Sequence, residues 1–153
     1  MKQVVLVRNP WKWWSVRAII SAIIRWRYNS WSNHIAFVYI DPKDGKKYVI
    51  ESDTPYGVTK VLFEEWYHKD KILKFYDHQF SIKAAEWYIG KVAYDYRSIF
   101  KHLLNWYHWR KRRNTIGEQT CYEFFATVLH LPNEHKFRPI DAEKYLEEHE
   151  NNL

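Results

Sequence analysis

The single cysteine of the chain, Cys121, opens the stretch Thr120–Leu131, TCYEFFATVLHL. Phe124, Phe125, Val128 and Leu129 recur there at helical spacing and are expected to face a core. A thiol in the first turn of a helix meets unpaired backbone N–H groups, which favour an anion and so a thiolate. A thiolate is a nucleophile, but it needs a base beside the sulfur and a group that orients the base. A lone cysteine packs as a small hydrophobe as readily as it reacts. The histidines decide between the two readings. His68, His78, His102, His108, His135 and His149 stand in polar or charged surroundings, and His130 ends the cysteine's own helix, too far along to reach back. His34 opens an otherwise apolar run, His34–Ile40, just after a loop, where a strand end presents a side chain to a cleft. A carboxylate at the far end of the returning strand, Glu51 or Asp53, can accept from the imidazole, fix its tautomer and favour its charge.

The elements that must position these groups follow from pattern and turn chemistry. Gln3–Val7 reads as a buried strand that Asn9-Pro10 breaks. Ser15 is the expected N-cap of a helix from Val16 to Arg27. Its Val16, Ile19, Ile20, Ile23 and Ile24 are read as one stripe that covers a sheet, with Arg17, Arg25 and Arg27 on a basic outer face; an interfacial membrane helix is the alternative. His34–Ile40 and Lys47–Ile50 form a hairpin across Asp41-Pro42-Lys43-Asp44-Gly45, and antiparallel pairing sets His34 near the end that carries Glu51. Val58–Phe63 and Lys71–Tyr76 are further strands, Ser81 caps a helix over Ile82–Ile89, and Ser98–Trp109 reads as helical. Phe137–Ile140 is expected to be extended, with Asp141 capping a last helix, Ala142–His149. Repeats and linkers are absent, which predicts one α+β domain over 1–153 with an antiparallel meander at its centre.

Composition narrows the class. One cysteine excludes an internal disulfide framework and a multi-cysteine metal site. The histidines offer no helical i, i+4 pair, so neither metal nor cofactor is expected. The net charge of +6 permits nucleic acid, anionic lipid or an acidic substrate as partner. The apolar run after Met1 is too short for a signal peptide, and Val16–Ile24, broken by Arg17, falls short of the about 20 residues of a membrane span. These features predict a soluble, cytoplasmic chain with room for peripheral membrane association. Asn105–Arg113 interleaves Trp106, Tyr107, His108 and Trp109 with Arg110, Lys111, Arg112 and Arg113, the composition of an anionic-surface or nucleic-acid patch. A binding module with an inert cysteine is therefore the competing reading.

Several stretches carry a family resemblance: Val4–Arg8 followed by the Trp-rich turn, Trp31-Ser32-Asn33-His34 before an apolar strand, Tyr48–Ser52 followed by Gly57-Val58, Gly90–Tyr96, Thr120–Phe124, and Arg138–Asp141. In this order they resemble the circularly permuted NlpC/P60 group of papain-like thiol hydrolases, the YiiX/YaeF-like branch, in which the histidine precedes the cysteine. The resemblance implies a papain-like architecture of central antiparallel sheet and flanking helices. It implies an amide or ester hydrolase, amidase- or peptidase-like, acting on a peptide or lipid-like acyl substrate. By position it makes Cys121 the nucleophile, His34 the base and Glu51 the orienting residue, while Glu123 and Asp95 read as structural. Trp31, Tyr56 and Tyr94, close in sequence to these residues, are expected to line the substrate groove. Tyr122 stands where a small residue is more usual, and a ring beside the nucleophile is expected to narrow the cleft.

Overall fold

Val4, Val5, Leu6 and Val7 are all fully buried, which requires a strand covered on both faces. The computed structural model describes residues 1–9, 16–53, 56–68, 71–94 and 118–150. Strand β1 spans Lys2–Arg8, helix α1 Val16–Tyr28, β2 His34–Ile40, β3 Lys47–Asp53 and β4 Gly57–Leu62. A short helix α2, Phe63–Trp66, and strand β5, Ile72–Asp77, follow, then helix α3, Ile82–Trp87. Two-residue strands β6, Ala93–Tyr94, and β7, Glu118–Gln119, precede helix α4, Cys121–Val128, and helix α5, Pro139–Glu150.

The main sheet has five antiparallel strands in the order β4-β3-β2-β1-β5. Alternation divides its side chains between two cores. Leu6, Ile35, Phe37, Tyr39 and Ile50 pack with Phe124, Phe125 and Val128 of α4 and with Leu146 of α5. Val5, Val7, Ala36, Val38 and Val49 pack on the opposite face with Trp66 of α2. Each such buried side chain contributes about 1.5–3 kcal/mol relative to an exposed one, so the central strands form the rigid part of the molecule. The α+β class and the antiparallel centre agree with the sequence-based expectation. Ser81 caps α3 by accepting from the Ala84 N–H at 3.2 Å.

Two expectations fail. The outward face of α1 is not solely basic: exposed Arg27 shares it with large apolar residues. Ala18 and Ser21 are buried, whereas Ile19, Ile23 and Trp26 face solvent. Arg25 turns inward, and its Nη1 donates to the Asn9 carbonyl at 2.8 Å. A face of small residues lets the helix approach α5, and a backbone acceptor draws the guanidinium in, so the larger apolar residues end up outside. The second failure lies at the last helix. Phe137–Ile140 is not extended throughout, because α5 already begins at Pro139, and proline suits a first helical turn. Asp141 sits inside that turn and accepts from the Arg138 backbone N–H at 3.0 Å and from its guanidinium at 2.8 Å. The expected helix Ser98–Trp109 lies outside the described residues.

Gly57 begins β4 with a φ of +73°, a conformation other residues resist. A Cβ there would stand 1.9 Å from the Val92 carbonyl oxygen. That close approach lets the Val58 N–H donate to Val92 and the Gly90 N–H donate to Val58, joining the sheet edge to the segment that enters β6. β6 pairs in parallel with β7, directly ahead of Cys121. Gly57→Ala therefore combines backbone strain with a clash against main chain, and is expected to lower the unfolding free energy by roughly 3 kcal/mol or more. A urea denaturation curve measures the loss.

Candidate functional site

His34 is delivered to its place by a loop tied down on three sides. α1 ends with Asn29 in the left-handed conformation, φ 48°, and the Ser30 N–H donates back to Arg25 at 3.0 Å. The buried Glu143 carboxylate of α5 then gathers the loop. It accepts from Ser30 Oγ at 2.5 Å, from the Trp31 N–H at 3.1 Å, and from the Ser32 N–H and Oγ at 2.6 and 2.7 Å. With its hydroxyl proton committed to Glu143, Ser32 Oγ accepts from the Tyr122 hydroxyl at 2.9 Å. On the other side the Asn33 N–H donates to Val7 at 2.9 Å, and Asn33 Oδ1 accepts from the Asn9 N–H at 2.8 Å. His34 follows as the first residue of β2.

The hairpin register sets Ala36 opposite Glu51, so Glu51 and His34 share one face of the sheet on adjacent strands. His34 Nε2 lies 2.6 Å from Glu51 Oε2. Asp53 was the other candidate for this role; the hydrogen bond belongs to Glu51. The same carboxylate oxygen accepts the indole N–H of Trp66 at 2.7 Å. Trp66 carries the Lys71 ammonium over its ring, 4.2 Å from the centroid. Two donors on one oxygen hold the buried carboxylate ionised and fix its rotamer.

Cys121 is the first residue of α4, and Thr120 is the N-cap. The cap is a reciprocal box: Thr120 Oγ1 accepts from the Glu123 N–H at 3.3 Å, and Glu123 Oε2 accepts from the Thr120 N–H at 2.9 Å. The helical ladder starts with the Phe124 N–H on Thr120, so it leaves the Cys121 N–H unused. Glu123 is thus structural, as expected. The sulfur of Cys121 is close enough to act on the charge of the His34 imidazole. Since Nε2 is engaged by Glu51, Nδ1 is the ring nitrogen left to face the sulfur.

Opposing effects act on the imidazole. Burial disfavours its charge, but the sulfur of Cys121, by its charge and hydrogen bond, and then Glu51 hold its pKa well above 6.5. Burial likewise disfavours the Glu51 carboxylate, yet the His34 hydrogen bond and charge, with help from Trp66, keep its pKa below 4.5. Glu51 and the cysteine sulfur thus both favour the charged imidazole.

The structure thus joins His34 to Glu51, and it sets Cys121 at the start of the helix packed on the sheet. The three aromatic residues expected around them are less coherent. Trp31 is partly buried against the core, and Lys74 sits 4.6 Å from its ring centroid. Tyr56 is exposed. The backbone of Tyr94 lies in β6 beside Gln119, two residues before Cys121, and its side chain lies outside the described residues. Tyr122 is buried, and its hydroxyl hydrogen-bonds to Ser32. Asp95 and the basic run Arg110, Lys111, Arg112 and Arg113 also lie outside the described residues. Trp66 and Glu143 were not foreseen as partners of the site. Among the described residues no cluster of three or more His, Cys, Asp or Glu is placed to hold a metal ion, and no helix is long and apolar enough to cross a membrane. Comparison with protein-family models, curated proteins and solved structures returns no match.

The raised His34 value and the lowered Glu51 value have opposite consequences for stability. His34 contributes fully below its unfolded value near 6.5, and the contribution fades as pH rises through the folded value. Glu51 contributes above its unfolded value near 4.5 and loses that contribution as pH falls through the folded one. The urea midpoint is therefore expected to fall on the alkaline side of neutrality, and His34→Gln is expected to flatten that slope. Trp66→Phe keeps the ring but removes the indole donor. It is expected to cost about 1.5–3 kcal/mol, the usual worth of a hydrogen bond to a charged group, read in the same denaturation assay.

Proposed function

We propose that the protein is a cysteine hydrolase, which transfers an acyl group from an amide or ester to Cys121 and then to water. The observation that carries this reading is the 2.6 Å bond between His34 and Glu51, with a helix-start cysteine whose sulfur acts on the same imidazole. The motif order, histidine first and cysteine last, adds support through its resemblance to the circularly permuted NlpC/P60 thiol hydrolases. So does a five-stranded antiparallel sheet with the cysteine helix packed on it, which suits a papain-like architecture.

In the proposed reaction the Cys121 thiolate attacks the substrate carbonyl carbon. The carbonyl oxygen takes up negative charge and is met by the Cys121 backbone N–H, which the helix leaves without an acceptor. His34 Nδ1–H gives its proton to the leaving nitrogen or oxygen as that bond breaks, and a thioester remains. The neutral imidazole then takes a proton from water while the water oxygen attacks the thioester. Cleavage of the carbon–sulfur bond releases the acid and restores thiolate and imidazolium. Glu51, held by Trp66, keeps the ring in one tautomer and steadies its charge throughout. Peptide and lipid acyl groups are the substrate classes that the family resemblance suggests.

Cys121 is only 3% exposed, so a small alkylating reagent is the appropriate probe. Iodoacetamide near neutral pH is expected to label the chain's one cysteine stoichiometrically, with the rate falling at least about tenfold in His34→Ala. Mass spectrometry of the intact protein counts the label. Resistance of Cys121 in the folded protein, or an unchanged rate in His34→Ala, would overturn the assignment. A panel of acyl and peptidyl substrates, with Cys121→Ala as control, then separates amide from ester cleavage.

A further inference from the structure

We infer that the outer face of α1 is a docking surface for an anionic lipid bilayer. Ile19, Ile23 and Trp26 lie at i, i+4 and i+7, so they form one stripe along the helix. They are 36%, 37% and 81% exposed, whereas Ala18 and Ser21, on the other side, are 6% and 8% exposed. A helix that buries its small residues and shows its large apolar ones leaves a stripe that water disfavours and a membrane interface accepts. Tryptophan in particular settles at the headgroup level, where its ring is shielded and its indole N–H remains hydrated.

Charge selects the kind of surface. Helix α1 carries Arg17, Arg25 and Arg27 and no acidic residue. Lys2, Arg8, Lys12, Arg17, Arg25 and Arg27 all precede Asp41, which is the first acidic residue in the chain. The whole protein has 24 basic and 18 acidic residues, so these six account for the entire net charge of +6. The remaining 18 basic residues are matched by the 18 acidic ones. The first forty residues, which contain the apolar stripe, thus carry six basic residues and no acidic one. Arg27 adjoins Trp26, and the segment leading into the helix, Trp11-Lys12-Trp13-Trp14, repeats the pairing of aromatic and basic residues. An anionic bilayer satisfies both features at once: acyl chains for the stripe and phosphates for the exposed Arg27 beside it. A nucleic acid would meet the charge but leave Ile19 and Ile23 in water.

The test uses the full chain carrying Cys121→Ala, so that the outcome is independent of any hydrolysis. Flotation is measured with vesicles of phosphatidylglycerol and phosphatidylcholine, and with phosphatidylcholine alone, at about 0.1 M salt, where surface charges still act within about 10 Å. The protein is expected to float with the anionic vesicles. Ile23→Glu and Trp26→Ser, both at exposed positions, are each expected to weaken partitioning at least about tenfold, with thermal melts unchanged. Arg27→Gln is expected to give a smaller loss, seen only with the anionic vesicles. Failure to float overturns the proposal. So does flotation that Ile23→Glu and Trp26→Ser leave intact, because another surface would then carry the contact. Self-association in the absence of lipid, abolished by the same two variants, would assign the stripe to a second copy instead and equally overturn it. Nucleic-acid binding that displaces the protein from vesicles and is insensitive to Trp26→Ser would place the charge on a different partner and overturn it as well.

Discussion

The buried carboxylate of Glu143 is the constraint on which the site's geometry depends. A carboxylate taken out of water is tolerated only when its lone pairs are filled, and Glu143 receives four donors from three consecutive residues, Ser30, Trp31 and Ser32. Those donors would otherwise be orphaned in the same interior. The exchange is mutual, and its product is a loop with one shape. His34 begins two residues later. Through Ser32 Oγ the same network reaches Tyr122, the neighbour of Cys121 on α4. One side chain of α5 thus couples the loop that delivers the imidazole to the helix that delivers the thiol, although the three elements are far apart in sequence. Removing it would leave several buried polar groups unmatched, a loss larger than that of any single bond.

Around this latch the polar groups are arranged in depth. His34 depends on Glu51, Glu51 on Trp66, and the Trp66 ring on the Lys71 ammonium. Each member is oriented by the next, and the strands that hold the inner two are buried on both faces. Rigidity therefore comes from packing, and the polar chain has only to choose rotamers within it. The cysteine is held differently. Its helix is fixed by a local capping box, a device of four consecutive residues that also keeps the Thr120 and Glu123 N–H groups occupied and leaves the Cys121 N–H open. Local capping sets one half of the site, and long-range burial sets the other.

That division explains what the chain made legible. β2 was readable to the residue, because an apolar run between a polar loop and an Asp-Pro-Lys-Asp-Gly turn leaves few choices. The helix start at Cys121 followed from the spacing of Phe124, Phe125 and Val128, and the structure adds the threonine cap. The choice between Glu51 and Asp53 stayed open because residues two apart on a strand share a face; the register, Ala36 opposite Glu51, sets both on the face of His34, and only the side-chain hydrogen bond separates them. Trp66 and Glu143 were invisible for another reason. Their partners lie 15 and 111 to 113 positions away, and no periodicity reports such a pairing. Only the presence of buried carboxylates, each needing donors, hints that partners must exist, and burial is itself a product of the fold. Proline at 139 shows the converse: it read as a break, yet its fixed φ and missing N–H suit the first turn of a helix as well as a stop.

The inverted helix α1 is instructive for the same reason. Its isoleucines, read alone, belong inside by hydropathy; in the structure Ala18 and Ser21 take that position, and Arg25 finds a carbonyl within. Local preference and global placement disagree here, whereas they agree along β1, β2 and α4. Sequences that fold well keep the two consistent, and the departures concentrate where a surface serves something other than folding. The departure is also not remote from the chemistry. Ser30 donates its N–H to Arg25 of α1 and its hydroxyl to Glu143, so the last turn of the exposed helix and the loop before His34 are joined by consecutive hydrogen bonds. An apolar face that ends at Trp26, four residues before the loop to His34 begins at Ser30, is poorly explained as a covering for the sheet. On the proposed reading it sets the groups that position His34 at the boundary of an apolar phase.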